Sequence, residues 1–589
     1  MKQFFKFLFA SVLGFIIAAV VCVLLFVGII SAIVSSAGSD KEVTIEANSI
    51  LHLKITEPIV DRGSDNPLSN FDLGSFSTKG KTGLNDFLEQ IEKAKTDESI
   101  KGIFLDVSDI PAGLATIEEM RNKLIEFKSN KKFIVCYSEY LSQSTYYLAS
   151  VSDEIYLNPQ GFLDFKGLGG ELMFFKGALE KLGIEPQIIR HGKFKSAVEP
   201  FMLDKMSDEN RQQTQTYLFT LWQKMLDGIS ISRKIPVDSL NGIANNLSIE
   251  TAQDAVKFKM VDKLAYKDEV LEVLRKKTAE KSIDDIKFIS LEKYAKSENK
   301  FKGFAKDRIA VIYAEGSIEG GEGDDETIGS DRLSRTIREA RLDDKIKAIV
   351  LRVNSPGGSA LASEVIWREV LLAKKMKPFI VSMGNVAASG GYYIACAADT
   401  IVASPNTITG SIGVFGVLFN GQKLLNNTLG ITIDTVKTNT YSDIGSVYRP
   451  LSPIERNYIQ RSVENVYDVF VKRVADGRKI SSNQVDSIGQ GRVWSGLDAK
   501  KIGLVDVLGG LETAISIAAK KAQIKEYKLV SLPKQKDPFK EAIAHLTGEA
   551  ESAIIKKELG VNYKYYKSLQ NISGYSGIQA RMPFEIDIR

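Results

Sequence analysis

The segment "IKGIFLDV" from Ile100 returns as "IKAIVLRV" from Ile346, an offset of 246 residues. The same offset runs on without a gap. It pairs Phe133-Ile134-Val135 with Phe379-Ile380-Val381, Tyr146-Tyr147 with Tyr392-Tyr393, Asp153 with Asp399 and Gly167 with Gly413. It then drifts by a residue or two, so that "LGI" at Leu182 meets "LGI" at Leu429 and "DAVKFKMVD" from Asp254 meets "DAKKIGLVD" from Asp498. A period this long is no solenoid; it marks two related domains in tandem. They are expected over 46–294 and 308–533, joined by the lysine-rich "AKSENKFKGFAKD" and followed by a tail over 534–589 whose role is not legible.

Within each repeat, short β-rich runs alternate with helical spacing. "IAVIYAEG" from Ile309, "IKAIVLRV" and "PFIVSMG" read as buried strands, whereas "RLSRTIREARLDD" and "ASEVIWREVLLAKKM" read as amphipathic helices. Such alternation predicts parallel βαβ units with right-handed crossovers, so the fold class is α/β, twice over.

Ahead of the repeats, Phe7 to Val34 is uncharged and almost wholly apolar, with Lys2 and Lys6 before it. About 20 apolar residues span a bilayer, whereas a cleaved signal needs only about 7–15. Residues 1–38 are therefore expected to form one transmembrane anchor, the alternative being a long signal cleaved near Ala32 or Ala37. The flanking lysines place the N-terminus in the cytoplasm and the bulk across the membrane. A net charge of +4 from 77 basic and 73 acidic residues is no nucleic-acid signature. Three cysteines are too few for a disulfide framework, and Cys136 and Cys396 read as buried thiols. There is no His/Cys/Asp cluster at ligand spacing and no phosphate loop, so neither metal nor cofactor is expected.

Two loops of the second repeat carry the chemistry. "NSPGGSA", Asn354 to Ala360, follows a strand with a sharp turn that leaves backbone N–H groups open, the material of an oxyanion hole. "NVAASGGYY", Asn385 to Tyr393, sets Ser389 among small residues at a strand-to-helix junction, which suits an exposed nucleophile. The first repeat has "SDIPA" and Gln143 at these places, scaffold without chemistry. A serine hydroxyl needs a base. The three histidines, His52, His191 and His545, all lie outside the second repeat's core. The alternative base is a lysine. "HGKFKSAVEPF" of the first repeat puts Lys195 opposite Ser442 of "TNTYSDIGSVY", so each repeat lacks what the other keeps. These reciprocal losses predict that Lys195 and Ser389 meet across a repeat interface. A free lysine has a pKa near 10.4 and must fall by roughly three units to act as a base near neutrality. Phe194, Ala197, Val198 and Phe201 suit such burial, but Glu199 is close enough in sequence to form a silencing salt bridge.

Taken in order, "GKFKSAVEPF", "RVNSPGG", "AASGGYY" and "GSIGVFG" resemble the motifs of the signal peptide peptidase A (protease IV) family in its long double-repeat form, over nearly the whole chain to about residue 530. The resemblance implies the fold shared by Clp protease and the crotonases. It implies Ser389 as nucleophile, Lys195 as general base, Ser411 as the residue that orients the lysine, and an oxyanion hole from Gly357, Gly358 and Gly390. It further implies a homotetramer in the bacterial inner membrane, open to the periplasm, that degrades signal peptides and other hydrophobic peptides. Three other readings stay open on the residues: a crotonase-like acyl-CoA enzyme, a catalytically inactive membrane scaffold, and a triad built on His191.

Overall fold

The computed structural model describes residues 2–37, 43–63, 71–72, 77–78, 81–297, 305–535, 578–582 and 587–588. Each repeat is built on its own sheet with helices packed against it. In the first, six parallel strands lie in the order Lys263–Leu264, Glu154–Leu163, Phe133–Leu141, Ile100–Asp106, Ser49–Leu53 and Phe288–Ser290. In the second, the order is Val493–Ser495, Ile408–Gly410, Phe379–Ala388, Ile346–Ser355, Arg308–Glu315 and Lys528–Leu532. There Thr400–Ala403 branches from Phe379–Ala388, and the Val493–Ser495 edge alone runs antiparallel. Both repeats are α/β folds, as expected from the alternation of strands and helices. Strands such as Ile346–Ser355 are buried on both faces, which is why they read as near-continuous apolar runs rather than as alternation.

The pairing registers adjust the gapless alignment. Ile103 faces Ile134 in the first sheet, and Ile349 faces Phe379 in the second. The offset is therefore 245 over this strand. It returns to 246 at Tyr146 and Tyr392, whose hydroxyls donate to Met260 O and Leu504 O. The serine-bearing repeat thus spends one more residue between strand and helix. Cys136, on strand Phe133–Leu141 of the first repeat, and Cys396, at the C-terminal end of helix Gly390–Ala395 of the second, are buried, unpaired thiols.

At the N-terminus, Lys2–Ala37 is a 36-residue helix. Its Gln3–Val21 stretch has a mean hydropathy of 2.4 and is, among the described residues, the one segment long and apolar enough to cross a membrane. The inter-repeat linker lies largely outside the described residues, as does most of the tail.

The two repeats dock through helix Leu114–Lys128, whose buried face includes Glu118, Glu119, Arg121 and Lys123. Glu119 accepts from Arg352 (2.8 Å) and from the Leu511 backbone N–H (2.7 Å), both of the second repeat. Arg352 also donates to Asp61 (2.8 and 3.0 Å) and Ser382 Oγ (2.9 Å). Burial works against the guanidinium charge, but Asp61 and Glu119 outweigh it and hold Arg352 above the usual arginine value.

A second connection runs the other way. From the first repeat, strand Glu185–Arg190 reaches across and pairs antiparallel with Phe415–Asn420 of the second. The second repeat's counterpart of this arm, 432–437, forms no strand, and Val436 is 99% exposed. Ile431, Ile433 and Tyr441 beside it are exposed as well.

Removing one partner of a buried ion pair strands the other. Glu119→Ala is expected to cost about 3–5 kcal/mol in urea unfolding. A change under about 1 kcal/mol would show that Arg352 finds full compensation elsewhere.

Candidate active site

Strand Phe379–Ala388 ends one residue before helix Gly390–Ala395, and Ser389 is the hinge between them. It adopts φ 54°, ψ −112°, a backbone state costing a non-glycine residue on the order of 1–3 kcal/mol. Two hydrogen bonds hold it there: its N–H donates to Gly410 O (2.8 Å), and its carbonyl accepts from Tyr393 N–H (2.8 Å). The turn leaves the Ser389 hydroxyl facing the arm from the other repeat.

That arm brings Lys195. The Lys195 side chain is fully buried, and Nζ lies 2.9 Å from Ser389 Oγ, 3.1 Å from Ser411 Oγ and 3.4 Å from Ser411 O. Its Nζ lies 5.9 Å from the ring centroid of Phe415, a member of an apolar cluster with Ala197, Val198, Phe201, Ile188 and Val417 drawn from both repeats. Glu199 is turned away: its carboxylate accepts from Ser207 Oγ (2.6 Å), Ser207 N–H (3.2 Å) and Asn210 Nδ2 (2.9 Å). With no carboxylate partner, burial alone pushes the Lys195 amine well below the ordinary lysine value.

The lysine backbone is gripped by a stretch of the second repeat that carries no sequence signature. Phe194 N–H donates to Gln490 O (3.0 Å), and Gln213 Nε2 donates to Phe194 O (3.2 Å) while its Oε1 accepts from Val493 N–H (3.1 Å). Gly491, at φ 84°, lies so close that a Cβ there would sit 2.6 Å from the Lys195 backbone. The same stretch sets Ser411, whose N–H donates to Arg492 O (2.7 Å).

Gly357, Gly358 and Gly390 border the cleft beside Ser389. The Gly357 N–H donates to Ser355 Oγ (3.1 Å), so this amide is already engaged. The residue has to be glycine for another reason. At φ 95°, a Cβ would stand 2.6 Å from Gly390 N and 2.2 Å from Ala580 O. Gly358 faces Ala580 in the antiparallel ladder with Gln579–Arg581, and Gly390 opens a helix, where N–H groups have no intrahelical partner.

His191 stacks on Tyr467 with ring centroids 3.9 Å apart, and its backbone N–H donates to Val414 O (3.3 Å). In the first repeat, Gln143 Nε2 donates to Gly167 O (2.8 Å), and its Oε1 accepts from the N–H groups of Lys166 (3.3 Å) and Gly167 (3.2 Å). The corresponding carbonyl in the second repeat, Gly413 O, is the one that faces Ser389 Oγ at 3.4 Å. An amide thus satisfies the polar groups of the empty site. Among the described residues no group of three or more His, Cys, Asp or Glu side chains could hold a metal.

A hydroxyl on a strained strand-to-helix turn, set against a dehydrated amine beside open backbone donors, describes a serine protease. Comparison with known proteins agrees. The chain is 39% identical over 507 residues to Protease 4 of Salmonella typhi, covering 84% of this chain and 81% of that protein. It is 34% identical over 503 residues to the chloroplastic serine protease SPPA of Arabidopsis thaliana, covering 84% and 73%. A solved stomatin-specific membrane-bound protease with a bound substrate peptide is 18% identical, covering 41% of this chain and 99% of its own, at a TM-score of 0.27. The family model for Peptidase family S49 matches residues 126–281 and 372–525, one match per repeat, and the chain belongs to that family in its tandem, signal peptide peptidase A form.

A buried neutral lysine carries a stability cost with a definite sign. Below the unfolded lysine value near 10.4, the unfolded chain holds a proton that the folded site refuses. Stability therefore falls by about 1.4 kcal/mol per pH unit as pH drops, until the lowered folded value is reached. Lys195→Met removes this slope and is expected to raise the Tm at pH 7 more than at pH 10. Equal Tm differences at both pH values would mean that the site accommodates an ammonium.

Proposed function

We propose that this chain is a membrane-anchored endopeptidase with a Ser–Lys dyad that degrades cleaved signal peptides and other apolar peptides. The carrying observation is the 2.9 Å approach of Lys195 Nζ to Ser389 Oγ without a carboxylate on the amine. Ser389 is the nucleophile and neutral Lys195 takes its proton as the hydroxyl attacks. Lys195 then passes that proton to the leaving amine, and the cycle repeats with water against the acyl-enzyme. Ser411 fixes the amine's direction by accepting from it. Gly358 and Gly390 donate to the developing oxyanion, a role worth about 3–4 kcal/mol per donor, while Gly357 supplies the turn. This division departs from the expectation that all three glycines donate.

Extended peptides suit the cleft because strand Gly357–Ser359 forms an antiparallel backbone ladder there, made in this structure with Gln579–Arg581. The Gln3–Val21 helix, with Lys2 before it, supports a single-pass anchor with the N-terminus cytoplasmic and the catalytic bulk periplasmic, in a bacterial inner membrane. The first repeat, 46–294, supplies the base and the second, 308–533, the nucleophile.

The unpaired arm supports the reading of a homotetramer. Within one chain, the first repeat's arm lies on the second repeat. By analogy, the exposed 432–437 arm would lie on the first repeat of the next chain, a head-to-tail contact that forms a ring where its rotation closes.

Ser389→Ala should abolish hydrolysis of a leucine-rich peptide, and Lys195→Ala should slow it by about 10²–10⁴-fold. His191→Ala should leave most of the activity. Because the base works only when neutral, kcat/KM should fall on the acidic side of the lowered Lys195 value; a rate constant down to pH 5 would rule out an amine base. Val436→Asp with Ile433→Asp should convert the tetramer to smaller species in sedimentation velocity, and an unchanged species would place the interface elsewhere.

A further inference from the structure

Helices Ser330–Leu342, Ala360–Lys374 and Pro453–Arg478 of the second repeat enclose an open cavity of about 650 Å³ that contains none of the residues of the Ser389 site. Ser334 and Arg338 reach it from the first helix, one turn apart. Glu364, Trp367 and Arg368 reach it from one face of the second, and Arg473 from the third.

The carboxylates of this cavity are already matched. Glu364 accepts from Arg473 (2.6 and 3.2 Å). Glu369 accepts from Arg338 (2.6 and 3.1 Å) and is ion-paired with Arg341 at 3.5 Å. The donors are not all matched. Ser334 Oγ and Trp367 Nε1 are buried and have no hydrogen-bond partner among the described residues. Arg368 is exposed, with no ion pair or hydrogen bond among them. An indole N–H donates and cannot accept, and a guanidinium is always charged. Native structures keep few buried donors unpaired without a reason. The rest of the lining includes Val365, Leu371 and the Trp367 ring, which Arg473 holds from one side at 4.0 Å. Unmatched donors against an apolar wall call for an oxygen anion joined to an apolar chain. The lining sets Arg338, Arg368 and Arg473 against Glu364 and Glu369, a single positive charge in excess. A carboxylate balances that charge, whereas a phosphate dianion overshoots it.

The cavity also connects to the nucleophile. Glu364 accepts from the Tyr393 hydroxyl (2.6 Å), and Tyr393 N–H donates to Ser389 O (2.8 Å), one of the two bonds that hold the strained turn. We infer that this cavity is a second binding site, for a carboxylate on an apolar chain, whose occupation slows catalysis at Ser389; the effect on rate, though not the binding, rests on the peptidase reading. The carboxylate accepts from Ser334, Trp367 and Arg368 and competes with Glu364 for Arg473. Glu364 then shifts on Tyr393, and the helix that anchors the Ser389 carbonyl shifts with it. Two sources supply such a ligand: an apolar peptide with the new C-terminal carboxylate that hydrolysis leaves, and a free fatty acid.

The test uses the full chain in detergent, as Ser389→Ala so that no peptide is consumed. Octanoate and N-acetyl-trileucine, each beside its neutral amide, are titrated by tryptophan fluorescence. Trp367→Phe assigns the signal, since Trp222 and Trp494 are the other two tryptophans. At least one acid should bind saturably, with its amide roughly tenfold weaker, and Arg368→Ala should weaken the acid by a similar factor. Binding of octanoate alone assigns the site to fatty acids, and of N-acetyl-trileucine alone to peptide products; either supports it. Acids that bind no better than their amides, or that bind Arg368→Ala as well, overturn the site. In the wild type, the bound acid should lower kcat severalfold on a leucine-rich peptide amide, and Arg368→Ala should need roughly tenfold more acid for the same fall. Binding with kcat unchanged overturns the connection to Ser389. A wild type that hydrolyses nothing overturns the peptidase reading and leaves the binding result to stand on its own.

Discussion

Stripping water from one amine is the demand that the rest of the structure meets. A lysine without a carboxylate partner prefers solvent, and only a tightly closed environment keeps it neutral and aimed. Lys195 gets that environment from two repeats at once: apolar side chains from each, the backbone of Gln490 to Val493 closing over its own, and Ser411 at its tip. The buried Arg352–Asp61–Glu119 cluster serves the same end at a distance, since the two halves of the pocket stay closed only while the repeats stay docked. Glu199 shows how narrow the margin is. It sits four residues from the lysine and is fully buried, yet Ser207 and Asn210 take up its oxygens and keep its charge out of the site.

The repeats share a scaffold but divide the labour. Where the second repeat turns sharply into Ser389, the first places Gln143, whose amide satisfies Gly167 and its neighbour. At this position of the first repeat, Gln143 therefore satisfies the backbone groups of Lys166 and Gly167, and the surrounding core is closed. The reverse loss, of the lysine in the second repeat, left an arm with nothing under it in its own chain.

Much of this was legible in the residues, for physical reasons. Duplication exposed the fold, because the same buried strands recur and apolar runs of that length between helices permit few arrangements. It also exposed the Lys195–Ser389 pair, through complementary losses at matched positions. What stayed hidden depends on backbone rather than side-chain identity. Gly491 packing on Lys195, Gln490 accepting from Phe194 and the engaged amide of Gly357 leave no pattern in composition or spacing. The one-residue change of register before Ser389 was invisible because flanking identities on both sides preserve the overall offset. The tail gave no reading at all: Ala580 and Met582 are unremarkable residues until the cleft they lie in is seen.

Distance along the chain turns the composite site into a clock. Lys195 leaves the ribosome 194 residues ahead of Ser389, and the Gln490–Val493 clasp emerges about a hundred residues later still. At synthesis rates of about 5–20 residues per second, the first of these intervals alone lasts on the order of ten to forty seconds. Throughout that time, the nascent front half holds an ordinary solvated lysine, and the nascent rear half a hydroxyl with no base. Until the second repeat has emerged and docked, neither half alone holds the Lys195–Ser389 contact.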